Sequence, residues 1–157
     1  MPTTSTALKG SAGEHYVAYK LSAMGYIVAL PRAGVPSLDL IVATPDGQKT
    51  LAIQVKTASQ AFHLAKKKPE DTRWYWRVSD KVIASSAESL FYVFVDLHVD
   101  DPSKQPDVFI VRSIDIKEEN LDPTNGPWFL IMKDDEEKKW HKNDWHLIEE
   151  YLPLPKE

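Results

Sequence analysis

The sequence predicts an α/β fold, a mixed central sheet with flanking helices in the order helix-strand-strand-strand-helix-strand. Three observations lead there. Val17, Ala18, Leu21 and Met24 recur at helical spacing. Two short apolar runs flank Pro45-Asp46-Gly47, a turn signal that makes them a hairpin. A longer run, Leu90 to Leu97, has the continuous apolar composition of a buried strand.

The elements follow in order. Residues 1–9 read as a flexible leader. A helix is predicted from Gly10 to Met24, with Gly25 as its stop signal. Tyr26 to Leu30 is the first strand and ends before Pro31. Leu38 to Ala43 and Leu51 to Thr57 are the second and third, paired antiparallel. Ala58 to Arg73 is polar and basic, a long loop with one helical turn. Trp74 to Val78 alternates as a strand does, and Ser79 or Asp80 caps a short helix through Ser89. After the strand Leu90 to Leu97 come a turn (Asp100 to Gln105), a strand (Val108 to Arg112) and a helical turn (Asp115 to Asn120). Trp128 to Met132 is the last strand, followed by an acidic linker, Asp134 to Glu137, and a helix from Asn143 to Leu152. With 157 residues the expectation is one domain, its core at 10–97 and its additions at 98–157.

Composition narrows the chemistry. The chain is 43% hydrophobic and has no cysteine, which excludes a disordered chain, disulfide scaffolds, thiolate metal sites and cysteine nucleophiles. Met1 to Thr6 is polar and no apolar run approaches the ~20 residues of a membrane span, so the expected location is the cytoplasm, with no membrane. The net charge of -4 hides an asymmetry: 11 Lys or Arg face 7 Asp or Glu in residues 1–90, against 8 and 16 in residues 91–157. One basic face is therefore compatible with an acidic molecule. The five histidines have neither the spacing nor the companions of a zinc site. Phosphate-loop, dinucleotide and serine-hydrolase signatures are absent.

The hairpin carries the chemistry. Strand side chains alternate faces, so Leu51, Ile53 and Val55 point one way and Gln54 and Lys56 the other. In the partner strand Leu38, Leu40 and Val42 share a face and Asp39 points opposite. The hairpin thus places Asp39, Gln54 and Lys56 on one surface. Glu14 shares the helical stripe of Val17, Ala18, Leu21 and Met24 and joins them if that helix covers the sheet. A carboxylate buried there costs several kcal/mol, roughly, unless a divalent cation or Lys56 compensates it.

Gly13-Glu14 in the first helix, Ser37-Leu38-Asp39-Leu40-Ile41-Val42 in strand two and Ile53-Gln54-Val55-Lys56 in strand three together resemble the PD-(D/E)XK nuclease superfamily. Its restriction-endonuclease-like core has this element order, and the likeness is nearest to Holliday-junction resolvases and Mrr-type nucleases. The resemblance implies that Asp39 is the central ligand of Mg²⁺ or Mn²⁺ and that Glu14 binds the metal directly or through water. Gln54 stands where Glu or Asp is usual, as in Mrr-like members, and ligates through its amide oxygen beside the Val55 carbonyl. Lys56 serves the attacking water and the phosphate. Leu38 replaces the family's proline. The implied reaction is hydrolysis of phosphodiester bonds, in DNA rather than RNA, by a chain that pairs into a homodimer.

Basic residues interleaved with aromatics suit phosphate contact and base stacking. Lys66, Lys67, Lys68, Arg73 and Arg77 are the candidates, with Arg32 after the first strand. Trp74 and Trp76 are either stacking residues or core. The rival function is a nuclease-fold protein that binds nucleic acid or a protein partner without cutting, which Gln54 and the acidity favour. A third reading makes Asp39 and Lys56 an ordinary surface ion pair in an unrelated α/β fold.

Overall fold

The computed structural model describes residues 5–32, 38–79, 81–122, 128–133 and 140–156. Helix α1 spans Thr6–Ala23. It starts ahead of the expected Gly10 because Ser5 caps it, its hydroxyl accepting from the Leu8 amide at 3.3 Å. It ends as expected before Gly25, whose φ of +100° suits glycine.

Among the described residues nine strands follow: β1 (Ile27–Ala29), β2 (Leu40–Ala43), β3 (Thr50–Ala58), β4 (Phe62–His63), β5 (Arg73–Arg77), β6 (Leu90–Asp96), β7 (Asp107–Arg112), β8 (Leu121–Asp122) and β9 (Trp128–Met132). Helix α2 spans His146–Tyr151. It starts later than the expected Asn143, since Asn143 has a φ of +53° and stands outside any right-handed helix.

The strands form two sheets. The first has the order β1-β2-β3-β6-β7 and is mixed: β3 pairs with β6 in parallel, and its other pairs are antiparallel. The second has the order β4-β5-β9-β8 and is antiparallel. One face of the first sheet, with Leu40, Val42, Leu51, Ile53, Val55, Phe91 and Val93, packs against Val17 and Leu21 of α1 and Ile148 of α2. Each such aliphatic side chain contributes about 1.5–3 kcal/mol by leaving water. The opposite face, through Tyr92, Phe94, Phe109 and Val111, packs against Trp74 and Trp76 of β5 and Phe129 and Ile131 of β9. The result is three layers: helices, mixed sheet, second sheet.

Two expectations are corrected here. No α-helix occupies the described part of residues 79–89; 81–85 are turns, and Ser79 caps only a turn through its hydroxyl to the Lys81 amide. The alternative cap, Asp80, lies outside the described residues. After Val82 and Ile83 the segment offers only Ala and Ser at helical spacing, too little apolar surface to hold a short helix on a sheet. The second sheet covers that face instead. The tryptophans are core: Trp74 is 4% and Trp76 1% exposed. The acidic linker Asp134 to Glu137 lies outside the described residues, as does Ser37. Among the described residues no helix is long and apolar enough to cross a membrane.

Candidate active site

The hairpin of β2 and β3 sets the geometry. Its register pairs Leu40 with Ile53 and Val42 with Leu51. Continued by two residues, that ladder would give the Val55 amide to the Leu38 carbonyl. It does not. The Val55 amide donates instead to Asp39 Oδ2 at 2.7 Å, while the Asp39 amide donates to the Ile53 carbonyl at 3.0 Å. Asp39 thus stands where β2 parts from β3, its carboxylate held across the gap by a charge-assisted hydrogen bond. No described backbone amide crosses this gap to the Val55 carbonyl, which stays as an oxygen beside Asp39.

Gln54 and Lys56 point away from α1, opposite to Ile53 and Val55, as alternation requires. Both are half-buried. They pair with Tyr92 and Phe94 on β6. Asp39 lies near enough to help raise the Tyr92 phenol, whose burial is the larger cause. Among the described residues neither the Gln54 nor the Lys56 side chain takes part in a hydrogen bond or ion pair, and Lys56 is not paired with Asp39. This disposes of the surface ion pair as an account of these residues.

Glu14 arrives from the other side of the sheet. Helix α1 buries Gly13, Val17 and Leu21, one residue per turn. Gly13 permits the approach: a Cβ there would sit 1.9 Å from Thr57 Oγ1, a clash that only glycine avoids. The close crossing sets Glu14 over the C-terminal half of β3. Burial, chiefly, and then the charge of Asp39 raise its carboxyl above the usual range, with His15 partly opposing. Glu14 and Asp39 are therefore two carboxylates within each other's field, and among the described residues no ion pair neutralises either. The helix covers the apolar face, opposite to the one that carries Gln54 and Lys56.

The donor chemistry fits a hard cation. Two carboxylates, an amide oxygen and a backbone carbonyl are the oxygen ligands that Mg²⁺ accepts while keeping several waters. Among the described residues there is no group of three or more His, Cys, Asp or Glu able to hold a metal. The set at the gap has only two such side chains.

The expected nucleic-acid contacts are spread over the molecule. Arg32 is exposed just after β1. Lys66, Lys67 and Lys68 are exposed between β4 and the 3₁₀ turn Pro69–Asp71, lining an open hollow with His63 and Asp71. Arg73 and Arg77 lie on the outer face of the second sheet, Arg73 half-buried with an unpaired Nε and Arg77 exposed. Between them stands Tyr75, edge-on to Trp128 with ring centroids 5.3 Å apart. Of the two readings of Trp74 and Trp76, core is the one the structure shows. The alternation Arg73-Trp74-Tyr75-Trp76-Arg77 was the available signal, since it places Tyr75 with the arginines and both tryptophans opposite.

A second polar cluster escaped the sequence reasoning. Asp96, fully buried at the end of β6, accepts from the amides of Phe62 (3.0 Å) and His98 (3.3 Å). The His98 ring meets Asp107 Oδ2 through Nε2 at 2.9 Å, and Asn143 Nδ2 donates to Asp107 Oδ1 at 3.0 Å. Burial raises the Asp107 carboxyl, but the bonds from Asn143 and His98 and the charge of Lys142 outweigh it and hold it below the usual range. Asp96 and Asp107 stand opposite each other at the paired ends of β6 and β7. Two acids closing two apolar runs was the only sequence signal.

No protein-family model and no curated protein matches the sequence. Among solved structures the chain is similar to a bacterial homing endonuclease, I-Ssp6803I, at 16% sequence identity and a TM-score of 0.59, over 93% of this chain and 92% of that one. At that identity the likeness shows the fold alone: a mixed α/β fold with a five-stranded mixed sheet and flanking helices, similar to that of the homing endonuclease.

Proposed function

We propose that this chain is a metal-dependent nuclease of the PD-(D/E)XK type that hydrolyses DNA phosphodiester bonds. One observation carries the proposal: the Asp39 carboxylate is fixed across the opening between β2 and β3, in the field of Glu14, with no cationic side chain among the described residues paired to either. Two adjacent uncompensated carboxylates are unfavourable without a counter-charge. A divalent cation supplies it. Glu14, Asp39, the Gln54 amide oxygen and the Val55 carbonyl are its holders. When bound, Mg²⁺ or Mn²⁺ lowers the pKa of a coordinated water and neutralises charge on the scissile phosphate.

The chain's own groups do the rest. Asp39 is locked by its bond to the Val55 amide, which fixes one carboxylate oxygen. Lys56 shares a face with Gln54, and no acidic partner among the described residues holds its ammonium. It orients the attacking water and meets the charge that develops on the phosphate oxygens. Gln54 carries no charge where a third carboxylate would, which favours a single metal over a pair. The similarity to a homing endonuclease supports DNA as the substrate class.

The test is relaxation of supercoiled plasmid with and without Mg²⁺ or Mn²⁺. Wild-type protein is expected to nick only with metal. Asp39→Asn and Lys56→Ala should each lower the rate by roughly 10²–10³-fold, the usual cost of losing an electrostatic catalytic group. Metal-independent cleavage, or full activity in Asp39→Asn, would refute the proposal. DNA binding with no cleavage under any metal would favour the non-cutting rival.

A further inference from the structure

The second sheet has two faces of opposite character. Its inner face gives Trp74, Trp76, Phe129 and Ile131 to the core. Its outer face carries Arg73, Tyr75 and Arg77 on β5 and Trp128 and Leu130 on β9, and none of these five belongs to either buried core. We infer that this outer face binds an unpaired nucleic-acid strand, with bases stacked on Tyr75 and Trp128 and phosphates held by Arg73 and Arg77. The inference is independent of whether the Asp39 site cuts DNA.

Register brings the parts together. Tyr75 is paired with Leu130 and Arg77 with Trp128, so Tyr75 and Trp128 are diagonal neighbours. Their rings meet nearly edge-on, at 76° with centroids 5.3 Å apart, and the His63 ring stands 6.4 Å from Tyr75. Arg73 and Arg77 bracket Tyr75, about 13 Å apart along the strand at its usual rise. A hollow of about 200 Å³ opens among Arg73, Tyr75, Asp122, Trp128 and Leu130.

One donor in this hollow is left open. Arg73 Nε is buried and finds no hydrogen-bond partner, although buried donors are normally satisfied. No described carboxylate pairs with Arg73 or Arg77, Asp122 at the β8 edge included. A guanidinium N–H without an acceptor is a position for an anionic oxygen, and the planar fork suits phosphate.

The aromatic rings choose an unpaired strand over a duplex. A base offers its π-face to a side chain only when it is unstacked, and stacking of this kind tolerates any sequence. A four-stranded antiparallel sheet that presents aromatic rings to successive bases is a general way of holding a single strand. The track also continues. His63 lines a neighbouring hollow together with Lys66, Lys67, Lys68 and Asp71, so three exposed lysines lie beyond the rings.

Binding is measured by fluorescence anisotropy on the full chain in EDTA, with no divalent metal. The probes are a short labelled oligothymidylate, an abasic strand of the same length, an oligouridylate and a short duplex. Oligothymidylate is expected to bind about tenfold more tightly than the abasic strand, the contribution of one stacked base. Tyr75→Ala should remove that preference and Tyr75→Phe should keep it, while Arg73→Ala/Arg77→Ala should weaken both strands. Tighter binding of oligouridylate would assign the same face to RNA. Equal affinity for the thymidylate and abasic strands overturns the inference in wild-type protein, whatever the variants do. So does thymidylate binding that survives Tyr75→Ala, or a loss of duplex binding in that variant as large as the loss of single-strand binding.

Discussion

The two acidic clusters of this molecule are built from similar parts and left in opposite electrostatic states. Asp96 and Asp107 at the ends of β6 and β7 are supplied with donors: two backbone amides, the His98 ring, the Asn143 amide and Lys142. Glu14 and Asp39 receive one backbone amide between them. The carboxyl of Asp107 is held low and that of Glu14 is pushed high. A carboxylate is stabilised by the partners it meets, and nearness to a second carboxylate sets how much it lacks. The first cluster is an internally closed structural unit. The second keeps two neighbouring carboxylates, which the proposed cation would compensate.

Variants should pull this contrast apart. The largest effect on stability is expected for Asp107→Ala. It strips the acceptor from His98 and Asn143 at once and should cost about 2–3 kcal/mol in chemical denaturation. A loss under about 0.5 kcal/mol would show that the cluster is not a structural unit. Next comes Asp39. Asp39→Ala leaves the Val55 amide without an acceptor and should cost about 1–2 kcal/mol, whereas Asp39→Asn keeps an acceptor oxygen and should cost well under 1 kcal/mol. Equal costs would mean that the bond to Val55 does not anchor the residue.

The smallest effect concerns Glu14 and is read by pH. Its folded-state pKa lies above the ordinary 4.5, so the fold favours the protonated form. The stability this confers is full below about pH 4.5 and is lost as pH rises through the folded value. Glu14→Gln should therefore raise the thermal midpoint relative to wild type at pH 7 and not at pH 4. Mg²⁺ should raise the wild-type midpoint and affect this variant less. Asp107 runs the other way: its contribution is present above the ordinary 3.8 and is lost as pH falls below it. A wild-type protein that shows no gain from Mg²⁺ at pH 7 would contradict the opening for a cation.

Local pattern made part of this legible. The alternation in Leu51-Ala52-Ile53-Gln54-Val55-Lys56 fixed both faces of β3, and Pro45-Asp46-Gly47 fixed the hairpin, so the facing of Gln54 and Lys56 followed from period alone. The Asp39–Val55 bond did not follow. It depends on where β2 leaves β3, and residue order does not mark that departure. The helix expected through Ser89 failed because its cap signal had no apolar stripe behind it. The second sheet was hidden for another reason: β5 pairs with β9 across more than fifty residues, and β4 and β8 are two residues long, too short for any periodicity. The His98–Asp107 cluster depends on left-handed backbone at His98 and Asn143, which side-chain pattern does not report.

Joining β3 to β6 through strands instead of a helix has a bearing on assembly. A crossover helix satisfies its own backbone and can form as soon as it is made. Here β5 has its long partner in β9, residues 128–132, so the cover over Tyr92 and Phe94 closes only after most of the chain is available. Until then β6 presents bare aromatic surface, and distant pairings of this kind form slowly. The second sheet, not the hairpin that holds Asp39, thus governs when the strands beside that hairpin become dry.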